Sequence, residues 1–98
     1  MEILINHGEC FEIVLQGRLD TVTSLELTAR LEQEDISENL VVVNAKDLEY
    51  ISSAGLRVLL ALKKKLASEN KALEIHNLNA VCTEVFKVTG FNNILTVK

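Results

Sequence analysis

The sequence has no proline and no tryptophan, and its aromatic residues are limited to three phenylalanines and one tyrosine. Because 48% of the residues are nevertheless hydrophobic, a folded core must consist mainly of leucine, valine and isoleucine. No low-complexity tract, useful repeat or Pro-rich linker divides the chain. The 98 residues therefore predict one domain, residues 1–98, with a single core of modest size.

Cysteine is scarce as well. Cys10 and Cys82 lie far apart and form no Cys-x-x-Cys motif, which is typical of reduced, partly buried thiols in a cytoplasmic protein. The two histidines, His7 and His76, are equally isolated in the sequence. We therefore predict neither a metal site nor a cofactor.

Basic and long apolar segments are also missing. The net charge is −4 and the pI is near 5.1, so the chain lacks the basic surface typical of nucleic-acid binding. Its one cluster of cations, residues 63–65, falls late in a predicted helix, where positive charge complements the helix dipole. No apolar run approaches the roughly 18 residues of a membrane span, and residues 1–7 lack the signal-peptide pattern. The sequence predicts neither nucleic acid nor a membrane as partner.

Strand and helix patterns alternate along the chain. Residues 2–6 and 10–16 predict a β-hairpin, in which Gly17 ends the second strand and residues 18–21 form a loop. The next strand is a continuous apolar run of the kind buried on both faces. This strand is expected at 40–43, and residues 44–49 are expected to cross the sheet edge. The first helix starts between Asp20 and Thr23 and fades at 34–37, and the second helix covers 53–68. A strand at 72–76, a third helix at 79–89 that stops at Gly90, and a last short strand or tail at 94–97 complete the prediction.

This order, β-β-α-β-α-β-α-(β), predicts an α/β fold. It indicates a mixed, mostly parallel sheet of four to five strands with about three helices and right-handed crossovers. In such sheets the functional edge is usually where strand carboxyl ends meet helix N-termini.

Apolar spacing predicts the buried face of each helix. For the first helix, the start stays open between a capping box of Thr23 with Glu26 and an earlier cap at Asp20 or Thr21. In the first helix the expected inward positions are Val22, Leu25, Ala29 and Glu32, flanked by Leu27 and Leu31. In the second they are Leu56, Leu59, Leu60, Lys63 and Ala67, and Val58, Leu62 and Leu66 widen the apolar surface. In the third they are Val81, Val85, Phe86 and Val88.

Two serines, Ser52 and Ser53, lie where residues 40–51 end and the second helix begins. A serine there can cap the helix by accepting a backbone N–H bond. A helix start also tolerates an anion, including a phosphate attached to serine. Local chemistry leaves both roles open. If the second and third strands are neighbours, Asp20 lies at the same sheet edge as Ser53.

Three stretches together resemble a known family. Residues 15–20 (Leu-Gln-Gly-Arg-Leu-Asp), residues 41–59 around Ile-Ser-Ser-Ala-Gly-Leu-Arg, and residues 85–91 (Val-Phe-Lys-Val-Thr-Gly-Phe) are similar to stand-alone STAS domains of the anti-sigma-factor-antagonist type. The middle stretch is highly specific, and the three span nearly the whole chain in the family's order.

The resemblance implies a regulatory protein that is not an enzyme. Its dephosphorylated form would bind an anti-sigma factor that is also a serine kinase, and so free a sigma factor. The kinase would then use ATP to phosphorylate the serine two positions before Gly55, which is Ser53, and a metal-dependent serine phosphatase would reset the switch. The residues that the resemblance assigns to partner binding are Asp20, Ser52, Ser53, Ala54, Gly55 and Arg57.

This chain departs from the family pattern at two positions. Ser52 stands where many members have aspartate, and Ala54 follows the acceptor where serine or threonine is common. Ser52 therefore stays a second candidate for the phosphate, behind Ser53.

Two other functions compete with the switch. Ser53, His76 and Asp20 supply the residue types of a hydrolase triad, but the sequence lacks Gly-x-Ser-x-Gly. STAS domains also act as scaffold subunits of lipid-transport or stress-sensing complexes, and as tails of anion transporters. A transporter tail is disfavoured because the chain has no membrane segment and begins at its own Met1.

Overall fold

A computed structural model describes all 98 residues. Five strands and three α-helices follow one another in the predicted order, with a short 3₁₀ turn at Phe91–Asn93. No helix combines the length and the apolar character needed to cross a membrane. The elements are β1 (Glu2–Asn6), β2 (Phe11–Leu19), α1 (Thr21–Gln33), β3 (Leu40–Ile51), α2 (Ser53–Ser68), β4 (Ala72–His76), α3 (Ala80–Val88) and β5 (Thr96–Val97).

The five strands form one sheet in the order β1-β2-β3-β4-β5. β1 and β2 are antiparallel, as the predicted hairpin requires, and the other neighbours are parallel. Because successive parallel strands are added in one direction, right-handed crossovers put all three helices on the same face of the sheet. The α/β fold with a mixed, mostly parallel sheet is confirmed.

The predicted ends of β2 and β3 are wrong, and for a shared reason. Gly17 does not end β2; it adopts a positive φ of 106° at an irregularity in the ladder, and pairing resumes with Arg18 opposite Tyr50 and Leu19 opposite Ile51. Residues 44–49 likewise stay within β3 and do not cross the sheet edge. Each strand continues because the other offers partners beyond the interruption, which is how a β-bulge is tolerated.

β3 also runs past its other neighbour, because β4 stops pairing at Asn44 opposite His76. The side chain of Asn79 replaces the missing strand. Its amide donates hydrogen bonds to the carbonyls of Leu48 and Glu49 at 3.0 and 3.3 Å, and its carbonyl oxygen caps α3 through the Cys82 N–H at 2.7 Å. Two backbone carbonyls at the unpaired end of β3 thus find partners without a strand.

The predicted inward face of α1 is wrong. Val22 and Leu25 are 66% and 71% exposed, whereas the supposed flanking residues Leu27 and Leu31 enter the core. Ala29 and Glu32 are exposed too. This helix carries apolar residues on both sides, so spacing alone cannot say which side the sheet covers.

The faces of α2 and α3 were predicted in part. In α2, Leu56 and Leu59 are buried as expected, but Leu62 and Leu66 complete the buried side in place of Lys63 and Ala67. In α3, Phe86 is buried and Val85 half-buried, while Val81 and Val88 are exposed and Cys82 is buried instead. The resulting core cluster consists of Phe11, Ile13, Leu15, Leu19, Leu27, Leu31, Val41, Val43, Ala45, Leu48, Ile51, Leu56, Leu59, Leu62, Leu66, Leu73, Ile75, Cys82, Phe86 and Leu95.

Candidate functional site

The carboxyl ends of β2 and β3 lie side by side at one edge of the sheet. Leu19 and Ile51 are register partners, and the Ser52 N–H donates a 2.9 Å hydrogen bond to the Leu19 carbonyl. The next residues, Asp20 and Ser52, begin α1 and α2 as their N-caps. The edge expected to hold Asp20 and the serine pair therefore exists, and both helix starts open onto it.

Ser52 caps α2. Its Oγ accepts a hydrogen bond from the Gly55 N–H at 3.3 Å, and its carbonyl accepts the Leu56 N–H at 3.0 Å. The side chain is half-buried against the sheet edge. The hydroxyl of Ser52 is thus engaged in holding the helix start.

Ser53 is the first residue of α2 and is exposed. Its hydroxyl makes no hydrogen bond within the protein, unlike that of Ser52. The amides of Ser53 and Ala54 belong to the first turn, where backbone N–H groups have no partner within the helix. A free hydroxyl therefore stands beside unpaired donors at the positive end of the helix dipole.

Asp20 is the N-cap of α1, so the earlier of the two starts considered is right and the Thr23–Glu26 capping box is wrong. The Asp20 Oδ1 accepts the N–H groups of Val22 and Thr23, each at 3.0 Å, and the Thr23 hydroxyl accepts the Asp20 N–H at 2.8 Å. The Thr23 N–H, its hydroxyl and the Val22 N–H, helped by the charge of Arg18, hold the pKa of the Asp20 carboxyl below its ordinary value of 3.8.

The lowered pKa of Asp20 predicts an acid-dependent loss of stability. A carboxyl whose pKa is lower in the folded state stabilises the fold above its unfolded pKa, and this contribution is lost as the pH falls through the folded pKa. Asp20→Asn keeps a capping oxygen but removes the titration. We expect the variant to lose less stability than the unmodified chain between about pH 5 and pH 2 in urea unfolding.

Glu38 and Glu74 also have lowered pKa values, so the acid slope should shrink in Asp20→Asn and not vanish. Equal acid slopes for the variant and the unmodified chain would contradict the role given to Asp20.

The other predicted site residues occupy the first turns of α2. Ala54 is half-buried and Arg57 is exposed, one turn after Ser53 on the same side of the helix. Gly55 is buried, so it offers no side chain or open surface to a partner. Its place against Leu19 and Ile51 makes it a positioning residue for the serines.

Two features of this edge were missed at the sequence level. The Arg18 guanidinium lies over the Tyr50 ring, 4.7 Å from its centre, directly beside the Asp20 cap. No linear motif pairs these residues; they meet only because the β2–β3 register resumes with Arg18 opposite Tyr50. A prediction that continued both strands beyond Gly17 would have placed Arg18 and Tyr50 opposite each other.

The second missed feature is an apolar surface on α1. Val22 and Leu25 lie in the first turns after Asp20 and are mostly exposed. Two neighbouring exposed apolar side chains next to a polar site make this part of α1 a candidate surface for protein contact. Because their helical spacing predicted both residues to be buried, neither was predicted to lie at the surface.

The residues considered for a hydrolase triad are not brought together. His76 lies opposite Asn44, and β3 runs on from there to Ile51 before Ser53, a distance of roughly 20 Å. The His76 Nε2 instead contacts the Glu74 carboxylate at 2.9 Å. The Asp20 Oδ1 accepts hydrogen bonds from the Val22 and Thr23 N–H groups as the cap of α1.

Comparison with known proteins gives a consistent relationship. Residues 5–96 match the family model described as Mlab, STAS domain. BtrV of Bordetella bronchiseptica, assigned as an anti-sigma factor antagonist, is 39% identical over 84 residues, which are 85% of this chain and 72% of BtrV.

Solved structures share the fold at lower identity. A Thermotoga maritima protein assigned as an anti-sigma factor antagonist superposes with a TM-score of 0.88 at 15% identity, over 97% of this chain and 84% of that one. The anti-sigma factor antagonist SpoIIAA matches in its unphosphorylated form (TM-score 0.82, 17% identity, 99% and 88% of the two chains). SpoIIAA of Bacillus also matches in its phosphorylated form (TM-score 0.71, 16% identity, 99% and 91%). With the family model covering nearly all of its residues, this chain belongs to the STAS domain family.

Proposed function

We propose that this protein is an anti-sigma factor antagonist that acts by binding, not catalysis, and is switched by phosphorylation of Ser53. In the unmodified form it binds an anti-sigma factor with serine kinase activity and so frees a sigma factor in the cytoplasm. The kinase phosphorylates Ser53 with ATP, the complex dissociates, and a metal-dependent serine phosphatase restores the binding form.

One observation carries the choice of acceptor. The two adjacent serines differ in what their hydroxyls do: Ser52 is half-buried and accepts the Gly55 N–H, while Ser53 is exposed and unengaged. A kinase must reach a free hydroxyl and withdraw its proton, and modification of a capping oxygen would cost the helix its cap. These facts favour Ser53 over Ser52.

The surroundings supply a contact surface for the partner. The exposed apolar side chains of Val22 and Leu25 adjoin the edge that holds Asp20 and Ser53, and Arg57 adds a cation on α2. An apolar patch bordered by charged groups is the usual composition of a protein interface. We assign Asp20, Ser52 and Arg57 to its polar part, with the small side chain of Ala54 between them and Gly55 beneath.

The relatives support the same function. BtrV, at 39% identity, is assigned as an anti-sigma factor antagonist. SpoIIAA has this fold in both its unphosphorylated and its phosphorylated form. A switch that acts at a surface, with little refolding, is consistent with that pair of structures.

The proposal is tested by incubating the protein with candidate anti-sigma kinases and ATP, followed by mass spectrometry of the peptide that holds both serines. We expect one phosphate, on Ser53, in the unmodified chain and in Ser52→Ala, and none in Ser53→Ala. Phosphate on Ser52 would overturn the choice of acceptor. Phosphate on neither serine with the cognate kinase would remove the switch.

The apolar part of the surface yields a separate prediction. Leu25→Ser should weaken binding of the anti-sigma partner about tenfold, since it removes much of one leucine's contribution to a buried contact. Thermal stability should stay nearly unchanged because Leu25 is 71% exposed. The affinity is measured by calorimetry with purified partner.

Val88→Ser is the matched control, because Val88 is equally exposed (72%) but lies at the far end of α3. It should bind like the unmodified chain. If Leu25→Ser bound as tightly as Val88→Ser, α1 would not belong to the interface.

A scaffold role in a lipid-transport or stress-sensing complex makes different predictions. It requires stable capture of another assembly, such as a transporter ATPase, and no ATP-dependent release. Pull-down from cells, with and without ATP, separates the two: a histidine-kinase-like ATPase released by ATP supports the switch, and a transporter ATPase retained with ATP supports the scaffold.

A further inference from the structure

One side of α2 carries a regular line of residues that starts at the proposed acceptor. Ser53, Arg57, Ala61 and Lys65 follow at intervals of four, so their side chains project from the same side of the helix. The last three border a groove of about 340 Å³ between α1 and α2, whose apolar wall includes Leu31, Val58 and Leu62. Ser53 therefore stands one turn from the entrance of this groove.

Arg57 is the cation at that entrance, and it has no ionic partner. Three other cations are paired, namely Arg30 with Glu34 at 3.7 Å, Lys71 with Glu69 at 3.3 Å and Lys98 with Glu74 at 3.2 Å, whereas Arg57 shares its lack of an ion pair with residues such as Lys65. Glu32 borders the opposite side of the groove but lies beyond ion-pair distance of the Arg57 guanidinium. The Arg57 side chain is exposed, so it is free to turn toward either end of the line.

We propose that Arg57 is the counter-ion, within the same chain, of the phosphate on Ser53. This inference rests on Ser53 as the proposed acceptor. An acidic group four residues before a basic one is the favourable arrangement on a helix surface, and the helix dipole adds to it here. The guanidinium is planar and presents two parallel N–H donors, which match the oxygens of a phosphate.

The pair would determine where the phosphate points. Without Arg57, a dianion on the first residue of α2 is free to orient toward solvent. With Arg57, it is drawn along the helix toward the α1–α2 groove and across the surface assigned to the partner. The modification then blocks contact by position as well as by charge, and it engages a cation that unmodified protein offers to the partner.

The test uses protein with phosphoserine installed at position 53 during synthesis, so no kinase is needed. The second ionisation of the phosphate, ordinarily near pH 6, is followed by ³¹P NMR at low salt in three chains: otherwise unmodified, Arg57→Gln and Lys65→Gln. Pairing favours the dianion, so the phosphate pKa should be lower by a few tenths in the unmodified chain than in Arg57→Gln.

Lys65→Gln is the matched control, since it removes one positive charge from the same line at roughly 18 Å from Ser53. Its phosphate pKa should equal that of the unmodified chain. Equal phosphate pKa values for the unmodified chain and Arg57→Gln would overturn the pair. Equal rises of the phosphate pKa in Arg57→Gln and Lys65→Gln would also overturn it, because they would show only a general effect of positive charge. If no kinase modifies Ser53, the proposed function fails while this titration still reports on the pair.

Discussion

Phosphorylation of Ser53 is expected to raise the Kd for the anti-sigma partner by a hundredfold or more. The modification adds about −1.5 to −2 charges at neutral pH to a surface that already holds the ionised Asp20 carboxyl. A contact that covered Ser53 would have to desolvate that charge, and a few kcal/mol suffices for a hundredfold change. Calorimetry with the purified partner and both forms of the protein measures the effect.

The fold itself should be nearly unaffected, which separates blocking from unfolding. The phosphate lies on the first residue of α2, where the dipole and unpaired amides accommodate an anion. Circular dichroism and the melting temperature of the phosphorylated form should stay close to those of the unmodified form. Equal affinity of both forms for the partner would refute the switch, and loss of folding on phosphorylation would refute its mechanism.

Ser52→Ala is the control for this measurement. It removes the cap on the Gly55 N–H and should cost roughly 1 kcal/mol of stability, but it leaves the Ser53 hydroxyl in place. The phosphorylated Ser52→Ala protein should therefore lose affinity as the unmodified chain does. The comparison isolates the charge on Ser53 from any weakening of the helix start.

The parts of the fold that depend on local chemistry were predictable from the sequence. The bounds of α2 and β4 agree with those expected, and α3 is one residue shorter at each end than the predicted 79–89, with Asn79 and Thr89 as its caps. A cap needs only a short polar side chain at the right position, and Gly90 has the positive φ of 76° that glycine adopts easily. Such signals are contained in a few consecutive residues.

The parts that depend on packing were not predictable in the same way. In α1, Val22 and Leu25 have as strong an apolar spacing as Leu27 and Leu31, and only the sheet decides which pair it covers. The continuation of β2 through Gly17 likewise depends on partners supplied by β3. The shared edge of Asp20 and Ser53 was predictable from the strand order. The exposed apolar residues of α1 depended on how that helix packs on the sheet, and the Arg18–Tyr50 contact depended on the β2–β3 register.

Gly55→Ala is expected to destabilise the protein by about 1–2 kcal/mol. A Cβ at this position would lie 2.8 Å from the Leu19 Cγ and 2.9 Å from the Ile51 Cγ1. Both of those side chains are 0% exposed, so neither can move into solvent, and contacts this short put the cost at about 2–3 kcal/mol, the upper half of the range for overpacking. The better helix propensity of alanine offsets at most about 1 kcal/mol of that cost. Urea unfolding measures the net change.

The substitution should also impair the switch, because the space it removes is where α2 meets the ends of β2 and β3. Moving the start of α2 outward would strain the 2.9 Å bond from the Ser52 N–H to the Leu19 carbonyl and displace Ser53 relative to Asp20. Gly8→Ala is the matched control, since no atom lies within 4 Å of a Cβ at that turn, and it should change stability by less than about 0.5 kcal/mol. If Gly55→Ala were as stable and as readily phosphorylated as Gly8→Ala, the close contact at Gly55 would not position the acceptor.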